Sequence, residues 1–481
     1  MNISVVLPEL ILFCGSLFIL MIDVFFAKRN KEFFYITHLL TLLICALAIV
    51  GTFKNFAQSE LYFNQFYQNS PIIALSKCFL ILLVTFVVVI SLRFVAMMEK
   101  FSAEFLALML IACTGGLIMI SSNDFLAFYL GIELQALSFY LLSAIKTDSK
   151  KSSEAGIKYF ILGCLASGIL LYGISMIYGY MGTTNFTVIA DLVEKQKNDV
   201  PVGFLLGIVL VMIAMFFKLG NAPFHMWYPD IIEGSATVVA TLFATVGKFT
   251  SVIALTFLIY KFSWSILSHI MIFVGLISII VGSLGAIFQK NLKRLLAFSS
   301  VAHVGFIILG LAGLGKNVIT AVLFYIFIYS IISLGIFGFL NLLISGNQID
   351  NDETDKKTFA ISSLAGLSKS NPTIALCLSL LIFSTAGIPP LAGFFSKFYI
   401  ISAVITTGYF KFALIAILLT VISAFYYLRI IKIIYFDTPS SQIIIDDSIA
   451  IKSIIIAATI LNTIIIIFID QILSMFNGFI S

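Results

Sequence analysis

The chain has 481 residues, 61% of them hydrophobic and only 11% charged, with a formal net charge of +5 and a mean hydropathy of +1.12. Soluble domains carry roughly 25% charged residues, so this composition excludes an ordinary soluble domain and points to an all-α polytopic membrane protein. No dense basic run offers a nucleic-acid footprint, and the alternation of a membrane barrel is absent.

A span needs roughly 20 apolar residues. That window predicts about fourteen transmembrane helices, near 3–26, 34–53, 72–95, 102–120, 124–145, 156–180, 202–232, 236–259, 264–288, 294–314, 317–344, 373–406, 409–434 and 449–475. The first run is too long for a signal-peptide core, and its basic residues Lys28, Arg29 and Lys31 follow it, so it is expected to remain as a span. Two connections are longer and polar: 183–201, and 346–371 with its DNDETDKK cluster. Spans seven and twelve are expected to be broken. Gly220, Pro223, Pro229 and Gly234 interrupt the first, and STAGIPPLAGFFSKF forms the core of the second. Broken membrane helices with charge at the break are how transporters build polar sites at mid-membrane.

Seventeen of the 28 Lys and Arg residues fall in odd-numbered loops and their flanks, and six in even-numbered ones. The positive-inside rule then places the odd loops in the cytoplasm and both termini on the periplasmic side. The remaining five, Lys77, Lys158, Lys218, Lys248 and Lys397, lie inside spans. Leu126-Ala127-Phe128 in span five recurs as Leu296-Ala297-Phe298 in span ten, an offset that carries Glu133 onto His303. An odd number of spans separates the copies, so they cross the membrane in opposite senses. The expected architecture is one transmembrane domain over 1–481. Spans one to three (3–95) precede two inverted five-helix repeats, spans 4–8 (about 102–259) and 9–13 (about 264–434), and a last span follows at 449–475.

Ionisable residues inside a membrane are costly and mark function by default. Glu133, in FYLGIELQALSFYLL, needs a partner or water at its depth in span five. Lys158 is one candidate partner; a structural ion pair is the plain alternative. Burial disfavours the charged form of Lys218 and a nearby carboxylate favours it, so a lysine between these influences can take up and release a proton. The helix breaks directly after Lys218, and the freed backbone groups could hold water. His225, seven residues on, is either a relay or a hydrogen-bonded structural group. Lys248, His303 and Lys397 can complete a polar line near mid-membrane. Glu9, Asp23, Asp124 and Lys77 lie near span ends and are read as orienting groups or neighbour contacts. Glu154 shares a helix face with Lys158, and Asp230 and Glu233 either mark a proton entry or cap span eight. The six cysteines lie singly, without CxxC spacing, and no GxGxxG, Walker loop or HExxH occurs. Neither a disulfide framework nor a metal or nucleotide site is expected.

KLGNAPFHMWYPDIIEGSATVVATLFATVGK resembles the span seven–eight signature of the antiporter-like subunits of proton-pumping NADH:quinone oxidoreductase, respiratory complex I. GIELQALSFYLL resembles their span-five glutamate motif. LPELILFCGSLFILMIDVFF and TAGIPPLAGFFSKF are similar to the subunit N branch, to which mitochondrial subunit 2 is related. The resemblance covers essentially the whole chain. It implies that Glu133, Lys218, Lys248 and Lys397 occupy proton-channel positions, with Lys158, His225 and His303 as connecting groups. It implies no cofactor on this chain, and NADH, FMN, iron–sulfur clusters and quinone on other subunits. It implies other membrane subunits and the bilayer as partners, and a bacterial inner membrane, a mitochondrial one being less expected. A proton-translocating subunit of this oxidoreductase is the expected function. A subunit of a multi-subunit cation/proton antiporter, or a purely structural membrane subunit, are the alternatives.

Overall fold

The computed structural model describes residues 3–26, 31–98, 102–196, 200–262, 265–343, 358–438 and 445–480. Lys28, Arg29, Lys100, Lys197, Lys356, Lys357 and the DNDETDKK cluster lie outside the described residues. Thirteen described helices are long and apolar enough to cross a membrane. They are Leu7–Phe26, Lys31–Phe53, Pro71–Met97, Ser102–Ser121, Phe125–Ser143, Lys150–Met181, Val202–Leu219, Thr237–Phe262, Ser265–Ile287, Leu292–Leu311, Lys316–Leu342, Phe410–Phe436 and Ile449–Ile480. Two half-helices, Pro372–Ala386 and Ala392–Thr406, make span twelve. The total is the expected fourteen spans. Span seven continues past its break as a short helix, Trp227–Gly234.

Local chemistry sets the starts. Ser70 accepts from the amide of Ile73, and Pro71 follows at the first helical position of span three. Asp124 accepts from the amide of Leu126 at 2.8 Å and from the Thr184 hydroxyl at 2.7 Å, so its role is to cap span five. Asn291 caps span ten in the same way, accepting from the amide of Lys293 at 2.9 Å. The caps also form matching bridges, Asp124 to Asn185 and Asn291 to Ala360. Their separation, 291 − 124 = 167, is three residues short of the Leu-Ala-Phe offset of 170. The two helices correspond, but the copied triplet is displaced by nearly one turn, so Glu133 and His303 are not opposite each other in register.

Close backbone crossings hold paired helices together. A Cβ on Gly131 would lie 2.7 Å from the amide nitrogen of Met119, and one on Gly305 2.9 Å from the carbonyl oxygen of Gly275. Small residues at crossings are how membrane helices approach without a hydrophobic drive. Spans eight, ten and eleven are 89% buried within the protein, against 33% for spans one, six, thirteen and fourteen. The former are therefore the core of the bundle and the latter its lipid-facing walls.

Two elements were not anticipated. Between spans two and three lies an antiparallel hairpin of β1, Glu60–Tyr62, and β2, Tyr67–Asn69. The polar connection after span six folds into an amphipathic helix, Phe186–Gln196. Its Phe186, Ile189 and Val193, at helical spacing, are buried against the bundle.

Candidate functional site: the broken helices and their lysines

The first half of span seven ends at Leu219 because Gly220 adopts a left-handed conformation, φ +66°. The first half of span twelve ends at Ala386 because Gly387 does the same, φ +85°. Both half-helices stop inside the bundle, where their last carbonyls have no intrahelical donor. A buried lysine supplies the donor at each. Lys248, 2% exposed, donates to the carbonyl of Leu219. Lys397, 6% exposed, donates to the carbonyls of Thr385 at 2.9 Å and Ala386 at 3.0 Å. The negative end of the helix dipole adds to both contacts. So the two breaks share one design, and the lysine equivalent to Lys397 in this role is Lys248 rather than Lys218.

Lys248 owes its position to a π-helical turn, Phe243–Gly247, directly before it in span eight. Such turns are frequent at functional positions. Other freed backbone groups at the breaks are held by protein rather than left for water. Ser278 of span nine accepts from the amide of Ala222 at 3.0 Å, Trp227 donates to the carbonyl of Phe217 at 3.0 Å, and Ser384 accepts from the amide of Gly393 at 3.0 Å.

Glu133 and Lys218 line one cavity of about 30 Å³, together with Ser167, Tyr140 and Tyr159. That volume has room for one or two waters. The two side chains do not pair directly: Lys218 donates to the carbonyl of Ile132 at 3.1 Å, and Ser167 donates to Glu133. Lys158 is not the partner of Glu133. It is 43% exposed and binds Glu154 at 2.7 Å and Asp230 at 3.1 Å. Ser167, which bonds Glu133, lies nine residues beyond Lys158 on span six, so Lys158 sits about 14 Å nearer the odd-loop face than the level of Glu133. Asp230 and Glu233 do not cap span eight. They hold Arg294 of span ten at 2.8 and 2.9 Å, joining repeat one to repeat two.

His225 forms no hydrogen bond with Lys218 or Lys248, whose partners are the carbonyls of Ile132 and Leu219. The helix ends at Leu219, so a spacing of seven no longer means the same face. Its ring packs 6.2 Å from that of Phe298, and its buried Nδ1 has no partner. The link between the two lysines is instead the break itself, since the carbonyl that holds Lys248 belongs to the residue after Lys218.

Beyond Lys248 the polar line runs through hydroxyls that the sequence reading missed. The Lys248 ammonium sits 3.7 Å from the centre of the Tyr228 ring. Ser300 donates to the Tyr228 hydroxyl at 3.4 Å and accepts from Tyr329 at 2.8 Å. One turn along span ten, the buried His303 bonds Tyr325 at 2.6 Å through Nδ1 and Tyr427 at 3.0 Å through Nε2. Tyr427 also bonds Ser299. The available signal was a spacing of four between Tyr325 and Tyr329 within an apolar span, and a Tyr-Tyr pair inside span thirteen. Among the described residues no group of three or more His, Cys, Asp or Glu could hold a metal ion.

The family profile described as "NADH:quinone oxidoreductase/Mrp antiporter, TM" matches residues 122–423. The chain is 39% identical to the NADH-quinone oxidoreductase subunit N of Pelagibacter ubique, covering 98% of each. It is 38% identical to that of Rhodospirillum rubrum, covering 90% of this chain and 87% of the relative. In structure it is similar to a chain of respiratory complex I from Thermus thermophilus, with a TM-score of 0.80 at 24% identity over 97% of this chain and 98% of that one. It is also similar in fold to a chain of the Mrp complex from Dietzia sp. DQ12-45-1b, with a TM-score of 0.84 at 18% identity over 99% of this chain and 97% of that one.

Proposed function

Since this chain belongs to the family of membrane subunits shared by NADH:quinone oxidoreductase and Mrp antiporters, and within it stands with the subunit N proteins, we propose how its buried groups carry protons. The chain is a proton-pumping membrane subunit of a bacterial respiratory complex I, and so part of a translocase. Its partners are other membrane subunits. In this reading NADH, FMN, iron–sulfur clusters and quinone belong to those other subunits.

Protons enter from the odd-loop face, which the lysine and arginine bias assigns to the cytoplasm. The charges Lys158, Asp230, Glu233 and Arg294 stand at that entrance. Glu133 and Lys218 share the small cavity, where one or two waters connect them. Closing the pair favours a charged Lys218; opening it releases the proton towards the break. Lys248 takes it up at the carbonyl of Leu219 and hands it on through Tyr228, Ser300 and Tyr329. His303, between Tyr325 and Tyr427, leads on to Lys397. Hydrogen bonds already join Tyr228, Ser300 and Tyr329 in one group, and Ser299, Tyr427, His303 and Tyr325 in a second; water or side-chain movement bridges the steps between these groups and the lysines. His225 stays outside this line.

The observation that carries the reading is the pair of half-helix ends, each held inside the bundle by a buried lysine. In assembled complex reconstituted into vesicles, Lys218→Ala and Glu133→Ala are expected to abolish most NADH-driven proton pumping. Wild-type pumping in both would remove the switch. The fold similarity to an Mrp complex supports a second reading, a cation/proton antiporter subunit that needs neither NADH nor quinone. Migration of the chain with NADH dehydrogenase activity on a native gel decides for the first; migration apart from it decides for the second.

A further inference from the structure

The three leading spans hold a buried charged group that the relay does not use. Glu9 and Lys77, each 3% exposed, form an ion pair of 2.6 Å between spans one and three. The Tyr67 hydroxyl donates to the same Glu9 oxygen at 2.8 Å and is also bonded by Lys77, so the three groups close a ring. The other carboxylate oxygen of Glu9 is buried without a partner.

A structural brace is a poor explanation for this ring. Burying two charges costs several kcal/mol per ion, and apolar replacement of such a pair is often neutral or stabilising. Spans one and three already bury apolar side chains, Leu12, Ile19, Leu80 and Ile81 among them. An unpartnered carboxylate oxygen is also unusual in a group kept only for packing. It is acceptor capacity that the fold leaves unused, and a proton is the smallest ligand that would use it.

The ring is tied to span eight, the helix of Lys248. Tyr67 and Gln68 are consecutive on β2, so their side chains point to opposite sides. Tyr67 reaches Glu9 and Lys77. Gln68 accepts from Lys261 at 2.6 Å, near the even-loop end of span eight, and Asn123 accepts from the same ammonium. The hairpin turn is held in place by Asn123, which donates to the carbonyl of Gln65 at 2.9 Å. One short strand therefore joins two buried or half-buried lysines at the even-loop face, opposite the Asp230–Arg294 entrance.

We propose that Glu9, Lys77 and Tyr67 form a second proton-holding site, through which protons leave to the even-loop side. The transfer is a balanced shift. An N–H bond of the Lys77 ammonium breaks and an O–H bond forms on Glu9, leaving a neutral amine and a neutral acid. Glu9 then gives its proton outward past Tyr67, and the amine accepts the next. The inference rests on the proton-pumping reading of the chain.

The test uses assembled complex in vesicles, with protons pumped per NADH oxidised as the readout. The Glu9→Gln/Lys77→Met double variant is expected to assemble and oxidise NADH while losing part of its pumping. Tyr67→Phe, which keeps the aromatic side chain and removes the hydroxyl that links Glu9 and Lys77, is expected to lose pumping in the same direction, and Glu9→Asp to retain more of it than Glu9→Gln. A double variant that pumps at the wild-type ratio overturns the proposal. If the double variant does not assemble, a wild-type ratio in Tyr67→Phe overturns it. Lys218→Ala runs alongside: if it too pumps normally, the underlying reading has failed, whereas loss there with no change in Tyr67→Phe condemns the outlet alone.

Discussion

Two glycines decide where Lys248 and Lys397, the lysines of the proposed proton line, sit. A side chain at Gly220 would occupy a left-handed backbone and bring its Cβ to 3.1 Å from that of Tyr228 and 3.4 Å from the Lys248 nitrogen. At Gly387 it would come within 3.0 Å of Lys397 Cδ and 3.3 Å of its nitrogen. Gly220→Ala and Gly387→Ala should each cost about 1–2 kcal/mol from backbone conformation alone. Each should also lower pumping by displacing its lysine, which thermal melting and vesicle assays on the purified complex would read separately. Tyr427→Phe removes the hydroxyl between Ser299 and His303 without opening a large cavity. It should cost about 1 kcal/mol in stability and a larger share of pumping than of NADH oxidation. Equal loss of both would argue against a relay role. At this scale the sequence exposed Lys218, Lys248, Lys397 and Glu133 well, because a charge inside an apolar run is conspicuous. It hid the tyrosines, since among 18 tyrosines and 48 phenylalanines only the neighbouring helix says which hydroxyl faces inward.

At the scale of elements, the breaks and the joints between repeats matter most. Glycine and proline made both breaks legible, and spacing made the helix count legible. The π-helical turn before Lys248 was not, because VVATLFATVGK carries no proline, and a single glycine such as Gly247 is tolerated inside a helix, so the stretch reads as continuous helix. The hairpin between spans two and three was also missed, its strands being only three residues each. Glu154, four residues before Lys158, was within reach of helical periodicity, but the other partners of Lys158, Asp230 and Glu233 lie 58 or more residues away in the chain. Arg294 links spans seven and ten through two carboxylates that are each about a quarter to a third exposed. Pairs so open to solvent are worth about 1 kcal/mol or less and weaken with salt. Arg294→Gln should therefore lower the melting temperature slightly at low ionic strength, with the difference shrinking in high salt. A difference that persists in high salt would show a tighter joint than the geometry indicates.

For the whole molecule, the burial pattern sets the proposed proton line in the centre of the bundle. Spans eight, ten and eleven carry Lys248, His303, Tyr325 and Tyr329, and they are the spans shielded from lipid on nearly all sides. Spans one, six, thirteen and fourteen expose large apolar side chains such as Phe18, Leu165, Val421 and Ile467, as a lipid- or subunit-facing wall must. If the proposed proton line lies within this one chain and the redox chemistry on other subunits, pumping variants should still assemble. A complex carrying Lys218→Ala should migrate on a native gel at the wild-type position with NADH dehydrogenase activity retained in the band.

The sequence by itself determined the membrane class, the fourteen spans, the two breaks and the acidic and basic groups at mid-membrane. These follow from local rules: hydrophobic length, the conformational freedom of glycine, and the cost of charge in lipid. Tertiary structure alone decided the pairings. It gave Lys158 to Asp230 rather than to Glu133, brought Lys248 to the carbonyl of Leu219 and His225 against Phe298, and joined Glu9 to Lys77 across three spans. A buried charge announces its need for a partner in the sequence, but which partner meets it depends on how helices distant in the chain cross.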